Sequence, residues 1–157
     1  MNLVAGFFAR VARAAAAYAG DETLMQAAVS AAANVIVADG EVAGDEFDTA
    51  LTGVLASPII EKGYDALMLE EALYEAIGRA RTRAGRADNL RRVEALAGRP
   101  IDQREGVFLV AADVADHDGI VESEHVALAE IAAALIVDKS RLLGAAPVRS
   151  ARPSSLP

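Results

Sequence analysis

The sequence predicts an all-α fold, a single-domain bundle of about seven to eight helices built from a duplicated unit of helix, Asp-Gly turn and helix. Three observations predict it. Apolar residues recur at i, i+3, i+4 and i+7, and no segment alternates convincingly with period two. Apolar residues make up 54% of the chain and aromatics only 4%, so Ala, Val, Leu and Ile fill the core, a balance suited to close-packed helices. Gly, Pro and Asp-Gly pairs punctuate the chain at intervals of about one helix, and 157 residues suit one domain.

Residues 1–20 read as an amphipathic helix, with Arg10 and Arg13 on one side and Val4, Phe7, Phe8, Val11 and Ala14 on the other. Ala17-Tyr18-Ala19 imitates a secretory cleavage site, but a signal needs an uninterrupted apolar stretch and the arginines break it. Packing on the domain and docking on a membrane surface or membrane partner are both open to such a helix. Residues 21–143 form the helical domain. Asp21 caps a helix to about Ala38 that carries Met25, Ala28, Val29, Ala32, Val35 and Ile36, and Asp39-Gly40 stops it.

A helix over about Gly44 to Leu55 follows, then a break at Ser57-Pro58 and Gly63, then a helix carrying Leu69, Leu73, Ala76, Ile77 and Ala80. A shorter helix near Ala87 to Leu96 ends at Gly98. Pro100 and Asp102 open another with Val107, Val110, Ala111 and Val114, which Asp118-Gly119 stops. The last main helix spans about Ser123 to Leu135, with a turn of helix from Asp138 to Leu143. Residues 144–157 are expected to be a disordered tail, since they carry no apolar period.

The net charge of −8 is the reverse of what a counterion-releasing nucleic-acid binder needs, so no nucleic-acid partner is expected. With no cysteine there are no disulfides, thiolate metal sites or thiol nucleophiles, which suits a cytoplasmic protein. The longest uncharged run, Thr23 to Ala38, contains Gln26, Ser30 and Asn34 and is too short and too polar to span a bilayer. No Gly-rich phosphate loop, nucleophile elbow or paired-His helix motif is present, so no enzyme is expected.

Placing Asp118 on Asp39, an offset of 79 (118 − 39), aligns AANVIVADGEVAGDEF with AADVADHDGIVESEHV. Ala32, Ala33, Val35, Asp39, Gly40 and Val42 recur as Ala111, Ala112, Val114, Asp118, Gly119 and Val121. Helix capping explains the glycines and valines. It does not explain the acid. Asp39, Glu41, Asp45, Glu46 and Asp48 crowd the first turn, and Asp113, Asp116, Asp118, Glu122 and Glu124 the second. No Lys or Arg lies between Arg13 and Lys62 or between Arg104 and Lys139.

A hard divalent cation held by oxygen would neutralise such a cluster; Asp39, Asp45, Glu46, Asp116, Asp118 and Glu124 are the candidate ligands. Ca²⁺ comes first, with Mn²⁺ or Mg²⁺ as alternatives. Asp116-x-Asp118-Gly119 matches the middle of an EF-hand loop, but Val114 and His125 occupy its two ends. In the first copy Val35 and Val37 stand at positions 1 and 3. Neither turn is a complete loop, so a site would draw on both copies. For one copy alone, a solvated acidic turn that caps a helix remains open.

The amphipathic first helix, Ala38-Asp39-Gly40-Glu41-Val42 through Glu46, and Asp118-Gly119-Ile120-Val121 through His125, set in an acidic all-helical chain, resemble TerB. This is the tellurite-resistance family, whose fold is shared with the N-terminal domain of the DjlA co-chaperones. The resemblance covers about Met1 to Leu143. It implies a cytoplasmic, non-enzymatic domain that binds divalent metal through clustered acids. It also implies work with TerC-like integral membrane proteins and TerD-like calcium-binding proteins in a stress-response complex, at the inner face of the membrane. Asp39 and Glu46 match the first motif and Asp118 the second, whereas His125 stands in place of the second Glu and His117 in place of Ala38. An imidazole ligand favours Mn²⁺ or Zn²⁺ over Ca²⁺, and a surface position in the first turn of a helix is the other reading of His125.

Arg79, Arg81, Arg83, Arg86, Arg91, Arg92, Arg99 and Arg104 face only Asp88, Glu94 and Asp102 in their own span, a local charge of +5 (8 − 3). They read as a solvated helix end and linker, or as a site for phosphate, anionic lipid or an acidic partner. Two functions follow for the chain. One is a metal-binding member of a membrane-associated stress-resistance complex; the other is a helical adaptor whose acidic face binds a partner without metal.

Overall fold

The computed structural model describes residues 22–38, 47–48, 50–53, 66–115 and 120–144. Among them all regular structure is helical, in an all-α bundle. The helices are α1 (Glu22–Ile36), α2 (Ala66–Ala80), α3 (Arg83–Glu94), α4 (Ile101–Ala115), α5 (Glu122–Leu135) and α6 (Lys139–Gly144). Residues 47–48 and 50–53 are helical as well, inside the span expected for a helix at 44–55. The expected helix at 1–20, Asp21, both Asp-Gly turns, and the breaks at Ser57-Pro58 and Gly63 lie outside the described residues, as does the expected tail apart from Gly144, which is the last residue of α6. No described helix is long and apolar enough to cross a membrane.

Helix α1 is the axis of the bundle, packed against α2, α3, α4 and α5. Its periodicity predicts one buried face, but twelve of its 15 residues are buried, so it is enclosed on all sides. The sequence permits this because Ala27, Ala28, Ala31, Ala32 and Ala33 are small enough for neighbouring helices to approach closely, and no charged group after Glu22 has to be desolvated. Around α1 the neighbouring helices contribute Leu69, Leu73, Phe108, Leu128, Ile131 and Leu135, and the turn after α3 contributes Leu96, all fully buried. Each such side chain contributes about 1.5–3 kcal/mol on leaving water.

The repeat is in structural register. Both α1 and α4 have 15 residues, and each end of α4 lies 79 residues beyond the matching end of α1 (101 − 22 and 115 − 36). The two helices pack directly on one another, with Ala32, Ala33 and Val35 buried in the first copy and Ala111, Ala112 and Val114 in the second. They differ in burial, with twelve buried residues in α1 and seven in α4, and most sharply at two positions. Ser30 and Asn34 are buried in α1, whereas the residues 79 further on, Leu109 and Asp113, are exposed on α4.

Helix α3 begins at Arg83, four residues before the expected start at Ala87. Thr82 is its N-cap, in extended conformation, and the Thr82 hydroxyl accepts a hydrogen bond from Gly85 N–H at 3.0 Å. Gly85 sits where a Cβ would lie 1.7 Å from the Arg79 carbonyl oxygen, so only glycine lets the start of α3 pass the end of α2 this closely. At the end of α5, Ile136 takes a left-handed conformation with φ 57°. Val137 N–H bonds to Ala132 O at 3.0 Å and Ile136 N–H to Ala133 O at 3.3 Å, the paired bonds of a Schellman ending. Asp138 then opens α6, its carboxylate accepting from Arg141 N–H at 3.1 Å.

Candidate functional site

Gln26, Ser30 and Asn34 recur every four residues along α1 and so share one stripe, which faces the arginines and asparagine of α2 and α3. Asn89, fully buried, donates from Nδ2 to Asn34 Oδ1 at 2.9 Å and to the Ala76 carbonyl at 3.1 Å. Its Oδ1 accepts from Arg79 Nε at 2.7 Å, and Arg79 Nη2 reaches Ser30 Oγ at 3.4 Å. Asn34 Nδ2 in turn donates to the Arg86 carbonyl at 3.3 Å. Every hydrogen bond in this hub crosses between helices, so it fixes where α2 and α3 stand on α1. Burial lowers the Arg79 pKa, with the nearby Arg92 charge adding to the effect, while Asp88 and Glu75 oppose it.

The arginine-rich stretch is thus largely architectural. Arg86 Nη1 donates to the Ala80 carbonyl at 3.0 Å, closing the end of α2. Arg104 Nη1 donates to the carbonyls of Leu135 and Ile136 at 3.1 and 2.9 Å, closing the end of α5. Arg92 pairs with Asp88 and Arg141 with Glu105. Arg83, expected at the end of a helix, is instead the first residue of α3, while Arg81 makes no side-chain hydrogen bond or ion pair among the described residues.

A cavity of about 590 Å³ opens beside the hub. Asn34, Val37 and Ala38 from the end of α1 line it, with Arg81 and Arg86 from the α2–α3 corner and Ser123, Val126, Ala127 and Glu130 from α5. Ala38 immediately precedes Asp39, and Ser123 follows Gly119 by four residues. The chain therefore leaves for the first Asp-Gly turn, and returns from the second, at the borders of one cavity.

Of the candidate metal ligands, Asp39, Asp45, Glu46, Asp116 and Asp118 lie outside the described residues. Glu124 is described, at 5% exposure, and its Oε1 accepts a hydrogen bond from Val121 N–H at 3.1 Å. This is one half of a capping box, since Val121 has no side-chain acceptor to return the bond. His125 is half-buried in the first turns of α5, and its backbone N–H bonds to Val121 O at 2.9 Å. Among the described residues no three His, Cys, Asp or Glu side chains gather as a metal-binding group.

No family model, curated protein or solved structure matches the chain. The functional reading therefore rests on the residues. Sequence reasoning missed the cavity and the hub, although the four-residue spacing of Gln26, Ser30 and Asn34 inside an otherwise uncharged, apolar run was the available signal. It also missed that Arg81 and Arg86, distant in sequence from both acidic turns, reach the cavity from which one turn leaves and to which the other returns.

Proposed function

We propose that this chain is a non-enzymatic helical protein that binds one divalent cation, Ca²⁺ before Mn²⁺ or Mg²⁺, through carboxylates of both Asp-Gly turns. Asp39, Asp45, Glu46, Asp116, Asp118 and Glu124 would hold it. This all-oxygen set suits a hard cation, which would supply the positive charge that the acidic segments lack in their own sequence. The observation that supports a shared site is the cavity bordered by Ala38 and Ser123, because each residue stands within four positions of an Asp-Gly pair. By the resemblance to TerB, the protein serves a tellurite and stress-resistance system with a TerC-like integral membrane protein and TerD-like proteins. It does so on the cytoplasmic side, with the helix at 1–20 as a peripheral membrane contact.

Thermal unfolding tests the cation. Millimolar Ca²⁺ or Mn²⁺ should raise the melting temperature, since a ligand that binds only the folded state stabilises it, and Asp39→Asn combined with Asp118→Asn should abolish the rise. No shift with any divalent ion at low ionic strength would remove this reading. For the partner, co-purification with a multi-span membrane protein should depend on the acidic turns or on Val4 to Val11.

A second reading has its own observation. Arg81 and Arg86 bring positive charge to the cavity that Ala38 and Ser123 border, which would offer the acidic segments neutralisation without a metal. A surface carrying both signs suits a protein partner, in the manner of an adaptor or co-chaperone domain.

A further inference from the structure

We propose that the cleft between the end of α1, the α2–α3 corner and α5 binds a small organic anion, one phosphate or carboxylate group on an apolar body. The inference does not depend on the cation reading. At about 590 Å³ the cleft falls within the ~300–1,000 Å³ range of small-molecule sites. Among the described residues its lining is uneven in charge, with two arginines, Arg81 and Arg86, and one carboxylate, Glu130. Two like charges beside one cavity repel each other, and an anion between them relieves that repulsion.

The two arginines are held differently. Arg86 is fixed at both ends, its carbonyl accepting from the buried Asn34 amide at 3.3 Å and its Nη1 donating to Ala80 O at 3.0 Å. Its fork is thus already in place, and the rest of its donors have no protein partner among the described residues. Arg81 is exposed and makes no side-chain bond there, so its fork can swing onto a ligand without breaking anything in the fold. Ser123 adds a hydroxyl from the first turn of α5. Val37, Ala38, Val126 and Ala127 provide apolar wall, more than a bare oxyanion would use.

Titration calorimetry of the full chain, with a chelator present to remove any divalent ion, separates this proposal from the cation reading. The probes are phenyl phosphate, benzoate and inorganic phosphate. At least one of the two aromatic anions should bind at millimolar concentration, and more tightly than inorganic phosphate. Arg81→Gln should weaken that binding by about tenfold or more, the worth of one charge-assisted hydrogen bond, with the melting temperature unchanged. Glu130→Gln, which removes the opposing charge, should tighten it. Failure of both aromatic anions to bind, or equal affinity in Arg81→Gln, would overturn the proposal. Inorganic phosphate binding as tightly as phenyl phosphate would overturn the claim for an apolar body.

Discussion

Asn89 of α3 donates to Asn34 of α1 at 2.9 Å, joining two buried amides 55 residues apart in sequence. Through the same side chain α3 is also tied to the Ala76 carbonyl and the Arg79 guanidinium of α2. Removing it leaves two buried groups and a half-buried cation short of a partner. Asn89→Ala should therefore cost about 3 kcal/mol, well above the ~1 kcal/mol of an ordinary hydrogen bond. Denaturant unfolding checks this, and a cycle with Asn34→Ala should show a coupling of about 0.5 kcal/mol or more.

Gly85→Ala sets two effects against each other. Alanine is the better helix former by about 1 kcal/mol, but its Cβ would lie 1.7 Å from a backbone carbonyl. That carbonyl cannot turn aside freely, since it also accepts from Thr82 N–H at 3.2 Å. The clash wins, and a net loss of about 2 kcal/mol or more is expected from the same unfolding measurement.

Ile136→Gly should go the other way. A β-branched residue in left-handed conformation costs about 1–2 kcal/mol, and Ile136 is 65% exposed, so little packing is lost with its side chain. After the entropy of glycine in the unfolded chain is subtracted, a gain of about 0.5–1 kcal/mol remains. Ile136→Ala, which keeps a Cβ, should give less. Unfolding midpoints of the two variants make the comparison.

Asp88 gives the pH dependence. Desolvation raises its pKa, but the Arg92 hydrogen bond and the charges of Arg92, Arg91 and Arg79 together hold it below the ordinary 3.8. A carboxylate depressed by folding contributes stability above its unfolded pKa and loses it as the pH falls through the folded one. Wild type should thus be more stable than Asp88→Asn at neutral pH, with the difference shrinking below about pH 3.8 and in high salt. Urea unfolding across that range, at two ionic strengths, tests both trends.

Much of this architecture was legible because helix periodicity and punctuation are local. The starts of α4 and α6 follow from Pro100 and Asp138, α5 begins one residue before the expected Ser123, and the 79-residue repeat foretells two helices in register. Where the reading fell short, tertiary packing decided. The apolar period of α1 is that of a surface helix, yet alanines and an uncharged run let neighbours enclose it. Thr82 capped α3 earlier than its apolar residues suggested, because so polar a helix buries only Asn89 and Val93. Arg79 and Arg104 looked like solvated charge, since no local pattern shows that a guanidinium will meet an amide or a carbonyl from another helix. The acids of the candidate site were conspicuous as composition, whereas Arg81 and Arg86 meet the end of α1 and the start of α5 around one cavity only through the fold.

The central claim is that both copies of the turn serve one ion. Calorimetric titration of the chain with Ca²⁺, and separately with Mn²⁺, measures this directly through stoichiometry. The account predicts one ion per chain, with Asp39→Asn and Asp118→Asn each abolishing that single event while the fold is retained. Two ions per chain, with each substitution removing one and leaving the other, would contradict it.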